Sequence, residues 1–412
     1  MQPLRSGIST AALRHFITSM SRRALAAGTL ATALLFALVS YGSEPIPPEG
    51  KVIQQGGEVF PAVAWGVFDG SLRDLPLAPT PEPGAPPIEQ PDGRCCQAQQ
   101  DDGSPMQAET SLRQPQGTSA VAQGGAAAFS PPELNFPGQG YTDVRPPDTV
   151  GDVGLQYYVQ AVNHSQGTSI AVYDKVTGAL SWGPTVLRSL WTAGGNCATA
   201  GRGDPIVLYD HLANRWLIAE FVDPNLGNTL CVYLSRTDDP LNGGWFFYEF
   251  HTPQFPDYPK FAVWPDAYYV TTNERPPAVY ALDRARMLAG LPASQQRFTA
   301  EPLGGFTSFQ ALTPADLHGA APPAGSPGLF VRHRDDEVHD SEPVAGVDFL
   351  DLFELRVDFA APQNSRFTAL PSVEVAQFDS RLCGVGSVQC IPQPGTSQSL
   401  DPVSEVVMWR AQ

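Results

Sequence analysis

Charge is scarce in this chain. Asp, Glu, Lys and Arg make up 16% of its 412 residues, and only three of the cations are lysines, Lys51, Lys175 and Lys260. The balance is acidic. A net charge of −17 becomes −21 once the four arginines of the first 42 residues (Arg5, Arg14, Arg22, Arg23) are set aside, since that stretch holds no acid. Such a surface repels phosphate backbones and anionic lipid, so nucleic acid is excluded as a partner. Amphipathic helical stretches are nearly missing as well, with 281 to 291 the one candidate. The 41 prolines and 38 glycines explain why, because both residues penalise helix interiors. No phosphate-cradling glycine loop, Gly-x-Ser-x-Gly elbow or Cys-x-x-Cys pair occurs, which leaves nucleotide, serine and cysteine mechanisms without support.

What is present begins with an address. Met20-Ser21-Arg22-Arg23 precedes an uncharged apolar run ending in small residues, the order of a secretory signal. Residues 1 to 42 are therefore expected to be a signal peptide or a leader carrying one. A single membrane anchor is the alternative, although the run is short for the roughly 20 residues of a span. No later segment is apolar enough to cross a bilayer. Six cysteines fit an oxidising, extracytosolic destination. Cys383 and Cys390 bracket a short glycine-containing loop, and Cys197 and Cys231 bracket a strand-rich unit, so these four are the disulfide candidates. The adjacent Cys95 and Cys96 pair with each other only under strain.

Residues 71 to 140 hold twelve prolines and neither Trp nor Tyr, too little apolar surface to offset chain entropy. They belong to a low-complexity linker spanning 43 to 140, interrupted by an apolar island at 58 to 76 that either docks as a strand or stays a sticky tail. From Tyr141 to residue 412 the texture is short β-branched and aromatic runs broken every eight to twelve residues by Gly, Pro, Asn and Asp, which reads as all-β. Three units repeat an acid, an aromatic-rich strand and a second strand. Their entry acids are Asp148, Asp204 and Asp257, and a looser fourth unit runs from Leu329 to Phe359. A period of about 50 residues with three or four strands matches one blade of a β-propeller, whose blades bury their faces only against neighbours. The final segment, "SEVVMWRAQ", reads as a strand entering a new unit. Either the N-terminal island supplies the missing strand or the sequence is truncated there.

The segments "PPDTVGDVGLQYYVQAVN", "GDPIVLYDHLANRWLIAEF", "DYPKFAVWPDAYYVTTN" and "CIPQPGTSQSLDPVSEVVMWR" resemble bacterial exported proteins that are predicted to be β-propellers and have no assigned activity. More distantly they are similar to sialidase-repeat and YVTN or WD40-like propellers. The resemblance covers roughly Tyr141 to Arg410 and implies fold and export, not chemistry. The Ser-x-Asp-x-Gly-x-x-Trp box of sialidase-type propellers is not present.

Three sets of residues carry candidate chemistry. In "YDHLANRW" the residues Asp210, His211, Asn214 and Arg215 sit between two strand-length apolar runs and are expected at an exposed hairpin tip, where Asp and Asn hold a turn. Asp148, Asp204 and Asp257 occupy one repeated position. Strand entrances can converge on a propeller's axis, so these three are binding candidates for a structural Ca²⁺, a hard ion that wants several oxygens. The alternative is that each merely fixes its own loop. The densest polar run is "VRHRDDEVHD". Read as a strand, it puts His333, Asp335, Glu337 and His339 on one face and Arg334 and Asp336 on the other. Asp335, Asp336, Glu337 and His339 are the catalytic candidates, His333 a further binding candidate, and a solvated acidic loop the structural alternative. The aromatic pairs Tyr157-Tyr158, Phe246-Phe247 and Tyr268-Tyr269 are expected to be core, because neighbours on a strand point to opposite faces.

The expectation is a monomeric exported β-propeller that binds a protein or polysaccharide. A glycan hydrolase or lyase using acids of the channel is the alternative.

Overall fold

In the computed structural model, residues 50–82, 84, 86–89, 132–304, 311–340, 342–380, 391–397, 399–400, 406–407 and 409–411 are described. The candidate signal, Cys95, Cys96, Cys383 and Cys390 lie outside the described residues. The chain is all-β with few helices, built from several antiparallel sheets.

Three short strands come first, β1 (Lys51–Gln55), β2 (Glu58–Pro61) and β3 (Ala64–Phe68), followed by a minor parallel pair, β4 (Ile88–Glu89) with β5 (Val144–Arg145). The first sheet is β6 (Val150–Val153), β7 (Tyr157–His164), β8 (Gly167–Asp174) and β9 (Leu180–Val186), joined in sequence order. After a helical turn, α1 (Asn196–Thr199), the second sheet is β10 (Gly201–Asp210), β11 (Arg215–Val222), β12 (Thr229–Ser235) and β13 (Trp245–His251). The third is β14 (Lys260–Val263), β15 (Tyr268–Thr272), β16 (Ala278–Leu282) and β17 (Ser294–Thr299), with α2 (Arg284–Leu288) inside the stretch read as helical. The fourth is β18 (Thr313–Pro314), β19 (Gly328–Arg334), β20 (Val347–Arg356) and β21 (Arg366–Ala369), with α3 (Asp336–His339) between β19 and β20 and with β22 (Val373–Ala376) also on β20. A last two-residue pair, β23 (Ile391–Pro392) and β24 (Ser399–Leu400), follows.

Turn chemistry explains where the strands stop. Asp174 Oδ1 accepts the backbone N–H groups of Val176 and Thr177, and Asp210 Oδ1 accepts those of Leu212 and Ala213. Asp239 and Asp358 do the same for their own turns. These are the local side-chain bonds that make Asp a turn former.

The period of two explains how the sheets pack. Along β11, Trp216, Ile218 and Val222 face the core shared with the first sheet, while Leu217, Ala219 and Phe221 face the core shared with the third. Along β15 and β16, Tyr268, Val270 and Tyr280 look back to the second sheet, and Tyr269, Val279 and Ala281 look on to the fourth. Tyr268 and Tyr269 are thus core on both sides, as expected from strand geometry, whereas Phe246 beside buried Phe247 and the Tyr157-Tyr158 pair are only half-buried. The second and third sheets are covered on both faces by their neighbours in chain order, and the first strands β6, β10 and β14 run beside one another. A fully buried side chain of the Trp216 or Tyr268 kind contributes about 1.5–3 kcal/mol.

The N-terminal strands pair in reverse order. β3 adds to β13, β2 to β17 and β1 to β21, so one segment supplies the outermost strand of the second, third and fourth sheets. Farther on, Leu77 bridges Thr185 of the first sheet. Close approach sets one residue here: a Cβ at Gly66 would lie 2.5 Å from the Phe247 ring.

Cys197 of α1 is joined to Cys231 of β12, and both are fully buried. The bond spans 34 residues of sequence, for which loop-closure entropy gives about 3–4 kcal/mol. Replacing both cysteines by alanine is expected to lower the unfolding free energy by about that amount, read as a lower denaturant midpoint at unchanged slope. An unchanged midpoint would show the link to be energetically idle.

Candidate functional site

The first three sheets are entered through one local conformation. Asp148, Asp204 and Tyr258 all have positive φ, at 40°, 49° and 52°, a region uncommon for non-glycine residues. Asp148 and Tyr258 each stand two residues before the first strand of their sheet, and Asp204 sits in the irregular start of β10. The repeat therefore holds with a shift of one in its third copy. Tyr258 occupies the position of the two aspartates, and Asp257 precedes it.

Even so, the three acids come together. Asn163, on β7, donates its amide to Asp148 Oδ2 at 2.6 Å and to the Pro146 carbonyl at 3.0 Å, and its Oδ1 accepts the Asp204 N–H at 2.8 Å. One amide thus ties the first sheet's entrance to the second's. Asn273 plays the corresponding part in the third sheet: its N–H donates to the Asp257 carbonyl at 2.9 Å and its side-chain amide approaches Asp257 Oδ2 at 3.4 Å.

Lys260, at the start of β14, brings an ammonium to these acids. It lies 3.5 Å from the Tyr258 ring centroid and donates to the Pro259 carbonyl at 3.3 Å. Burial pulls its pKa down to about 8, against the opposing pull of Asp204, Asp148 and Asp257. Burial likewise pushes Asp204 well above the usual carboxylate range, helped by the charge of Asp148, a hydrogen bond with it and the charge of Asp257. Thr271 pairs directly with Lys260 across β15, so the two side chains stand on one face. Its hydroxyl is fully buried and makes no hydrogen bond. Sequence reasoning missed Lys260, Asn163, Asn273 and Thr271. Lys260 alone left a trace, as one of three lysines, placed three residues after Asp257 at the head of an apolar strand.

The hairpin at 210–215 is a turn, but its acid is not exposed. Asp210 is fully buried, accepting Arg284 Nε at 2.8 Å, Arg284 Nη2 at 3.0 Å and the Tyr268 hydroxyl at 2.7 Å. That corrects the placement at an exposed tip: Asp210 holds its own turn with one oxygen and the third sheet with both.

The run 333 to 340 is corrected in form as well. Strand β19 ends at Arg334 and α3 follows, so strand alternation does not continue through Glu337 and His339. The turn still gathers Asp335, Glu337 and Asp348, whose ligand atoms lie within 4.8 Å of one another. Most of these oxygens already serve the loop. Asp335 Oδ2 accepts the Ser380 N–H and hydroxyl, Asp348 accepts the N–H groups of Asp336 and Phe378, and Glu337 Oε1 accepts the Gln377 amide. Asp336 pairs with Arg334 at 3.2 Å. His339 Nδ1 accepts the Asp335 N–H at 3.0 Å, and its ring lies 5.5 Å from that of His333. Burial drops the His333 pKa to about 4, so that imidazole is neutral. A cleft of about 520 Å³ opens beside the turn, lined in part by Arg334, His339, Asp340, Asp351 and Ser372.

A further acid escaped notice in the sequence. Glu220 of β11 pairs with Cys231, which pairs with Glu249, so two buried glutamates flank the disulfide. Glu220 is fully buried and neither of its oxygens makes a well-formed hydrogen bond, although Thr168 and the Gly203 N–H lie close. Burial raises its pKa to about 8 from an ordinary 4.5, with Thr168 and Arg188 opposing.

No family model matches the chain, and no curated protein matches it. Among solved structures it is similar to a Bifidobacterium bifidum s17 protein provisionally named an exo-beta-1,3-galactanase, at 14% identity over 57% of this chain and 88% of that one, with a TM-score of 0.25. It is also similar to a GH43 beta-1,3-galactosidase bound to galactodeoxynojirimycin, at 10% identity over 57% and 91%, with a TM-score of 0.27. A third is an engineered GH43 glycoside hydrolase with endo-xylanase and exo-arabinofuranosidase activity, at 11% identity over 56% and 41%, with a TM-score of 0.24. GH43 enzymes have a five-bladed β-propeller fold. Scores this low carry no chemistry to this chain. Among the described residues no helix is long and apolar enough to cross a membrane.

Glu220 generates a pH prediction. Its folded pKa exceeds its unfolded one, so its contribution is full below pH 4.5 and is lost as pH rises toward 8. Calorimetric melting should fall across that window by an amount corresponding to a few kcal/mol, roughly. In Glu220→Gln that part of the slope should vanish. An identical slope in the variant would remove Glu220 as its source.

Proposed function

We propose that the four sheets are blades of a β-propeller and that Asp148, Asp204, Asp257 and Lys260 form its working site, which holds a polysaccharide and hydrolyses it outside the cytosol. The observation that carries the reading is the gathering of these groups at the sheet entrances, where Asn163 ties Asp148 to Asp204 and where burial and the neighbouring acids push the Asp204 carboxyl well above the usual carboxylate range beside a lysine of lowered pKa. A carboxyl that retains its proton near neutral pH can deliver it to a leaving oxygen. Asp148 touches Asp204 by a hydrogen bond, closer than the roughly 5 Å that separates the two working carboxyls of a retaining glycosidase. Asp148 therefore serves to hold the Asp204 proton, and Asp257 is the second carboxylate. A neutral polyhydroxylated ligand suits the place, because carboxylate and amide oxygens accept from hydroxyls while an acidic protein repels anions. The buried disulfide supports an oxidising compartment.

The expected outcome is turnover of at least one member of a polysaccharide panel, followed as new reducing ends. Asp204→Asn should reduce it by roughly 10²-fold or more, while the combined Asp335→Asn and Glu337→Gln variant leaves it intact. Activity should decline as pH rises through the raised Asp204 pKa, because the neutral acid is the donor. The reverse pattern of the two variants would move the chemistry to the 333–340 turn. Glycan retention without turnover would reduce the site to a binding one.

A structural Ca²⁺ on the same three acids is a second reading, favoured by the unpaired Thr271 hydroxyl. Lys260 already supplies a positive charge there, so the ion would have to displace an ammonium. Melting midpoints with Ca²⁺ and with chelator should then differ in the wild type and coincide in Asp204→Asn. Coincidence in both ends the idea.

A further inference from the structure

The C-terminal residues do not extend the repeat outward. They run along the first strands of the sheets. The Val407 carbonyl accepts from the Thr313 hydroxyl at 3.2 Å, Ala411 forms a parallel bridge with Ala315, and the Ala411 carbonyl accepts the Asp316 N–H at 2.8 Å. Between these points the Trp409 indole N–H donates to the Phe261 carbonyl of β14 at 3.1 Å. Arg410 then reaches in two directions, with Nη2 2.8 Å from Asp152 Oδ2 on β6 and Nη1 3.4 Å from Asp316 Oδ2 just past β18. All three side chains are largely buried.

Each acid is already engaged with a neighbouring sheet. Asp152 Oδ2 accepts the Tyr209 N–H of β10 at 2.8 Å, joining the first sheet to the second. Asp316 Oδ1 accepts the Val263 N–H of β14 at 2.8 Å, joining the fourth to the third. The second and third share a packed core. Arg410 is in contact with both acids, and so connects the first sheet directly to the fourth.

We propose that Arg410 closes the array, its guanidinium joining Asp152 of the first sheet to Asp316 at the fourth, with Val407 and residues 409–411 laid beside the first strands to carry it. A guanidinium suits the task because its planar fork offers donors in two directions and keeps its charge at any working pH. The inference is independent of the carbohydrate reading, since none of these residues belongs to the Asp204 cluster.

Native-state hydrogen exchange on the full chain tests it. Arg410→Met keeps the stem's bulk and removes the charge. Amides of Val150–Val153 and of 313–316 should exchange roughly tenfold faster or more, because a buried carboxylate pair loses its counter-charge, while the amides of β11 and β12 keep their rates. Adding Asp152→Asn and Asp316→Asn should restore much of the protection, since each Asn keeps an oxygen for the neighbouring backbone N–H. Arg410→Lys, with a charge but no fork, should fall between, and it serves as the reporter should the Met variant not fold. Wild-type exchange at both seams, or equal loosening of all four sheets, overturns the proposal.

Discussion

A carboxylate taken out of water must meet a donor or a cation, or else keep its proton. That single constraint organises the polar interior of this acidic protein. Asp210 is met by the fork of Arg284 and the Tyr268 hydroxyl, and Glu274 by Arg297 at 2.9 Å together with the Thr272 hydroxyl at 3.0 Å and that of Tyr280. The two sets have the same chemistry, a buried acid, a guanidinium and a phenol, and each pins strands of the third sheet. Asp152 and Asp316 are met by Arg410. With so few cations in the chain, nearly every interior arginine is already committed.

Two places escape that resolution, and they differ. At Glu220 no cation is in contact and the nearest groups are hydroxyls and backbone, so the acid keeps its proton and the cost appears as pH-dependent stability. At Asp204 one cation faces three acids. Lys260 cannot neutralise them all, and its own desolvation weakens it as a counter-charge, so burial and the neighbouring acids together push the Asp204 carboxyl well above the usual carboxylate range. A lysine differs here from an arginine in a way that matters. Its pKa yields to burial where a guanidinium's does not, which leaves the cluster able to exchange protons near neutral pH while the Arg-paired acids stay fixed.

Much of the fold was legible because its rules are local. Asp174, Asp210, Asp239 and Asp358 hold turns by bonds to residues two and three positions on, and period-two alternation along β11 and β15 assigns each side chain a core. The entrance repeat was legible too, apart from the offset that puts Tyr258 where Asp257 was placed, because left-handed backbone at a non-glycine residue leaves little mark in composition. What escaped was non-local. Nothing near Asp210 announces Arg284, 74 residues away, and without that partner an Asp at a hairpin reads as exposed. The strands at 51–68 escaped in part for the same reason: their partners lie at 245–249, 294–297 and 366–369. Helical form in 336–339 was hidden by a pattern that alternation fits equally well.

The two ends of the described chain act on opposite edges of the same sheets, and this bears on how the site is held. The N-terminal strands pair with the last strands β13, β17 and β21, while Trp409 and Arg410 touch the first strands β6 and β14 and the residue beyond β18. The acid cluster lies at the entrances to the first strands, so its spacing depends on how those strands sit relative to one another. Backbone bonds run within sheets, and between sheets packing alone permits sliding. Directional bonds between sheets are therefore what fix the entrances: Asn163 to Asp204 across the first and second, Asp152 to Tyr209 along the same pair, and Asp316 to Val263 across the third and fourth. A carboxyl pair close enough to share a proton tolerates little displacement, since electrostatic coupling between buried groups rises steeply as they approach. Of these inter-sheet hydrogen bonds, Asn163's alone touches the cluster, holding Asp148 and the Asp204 backbone with one amide.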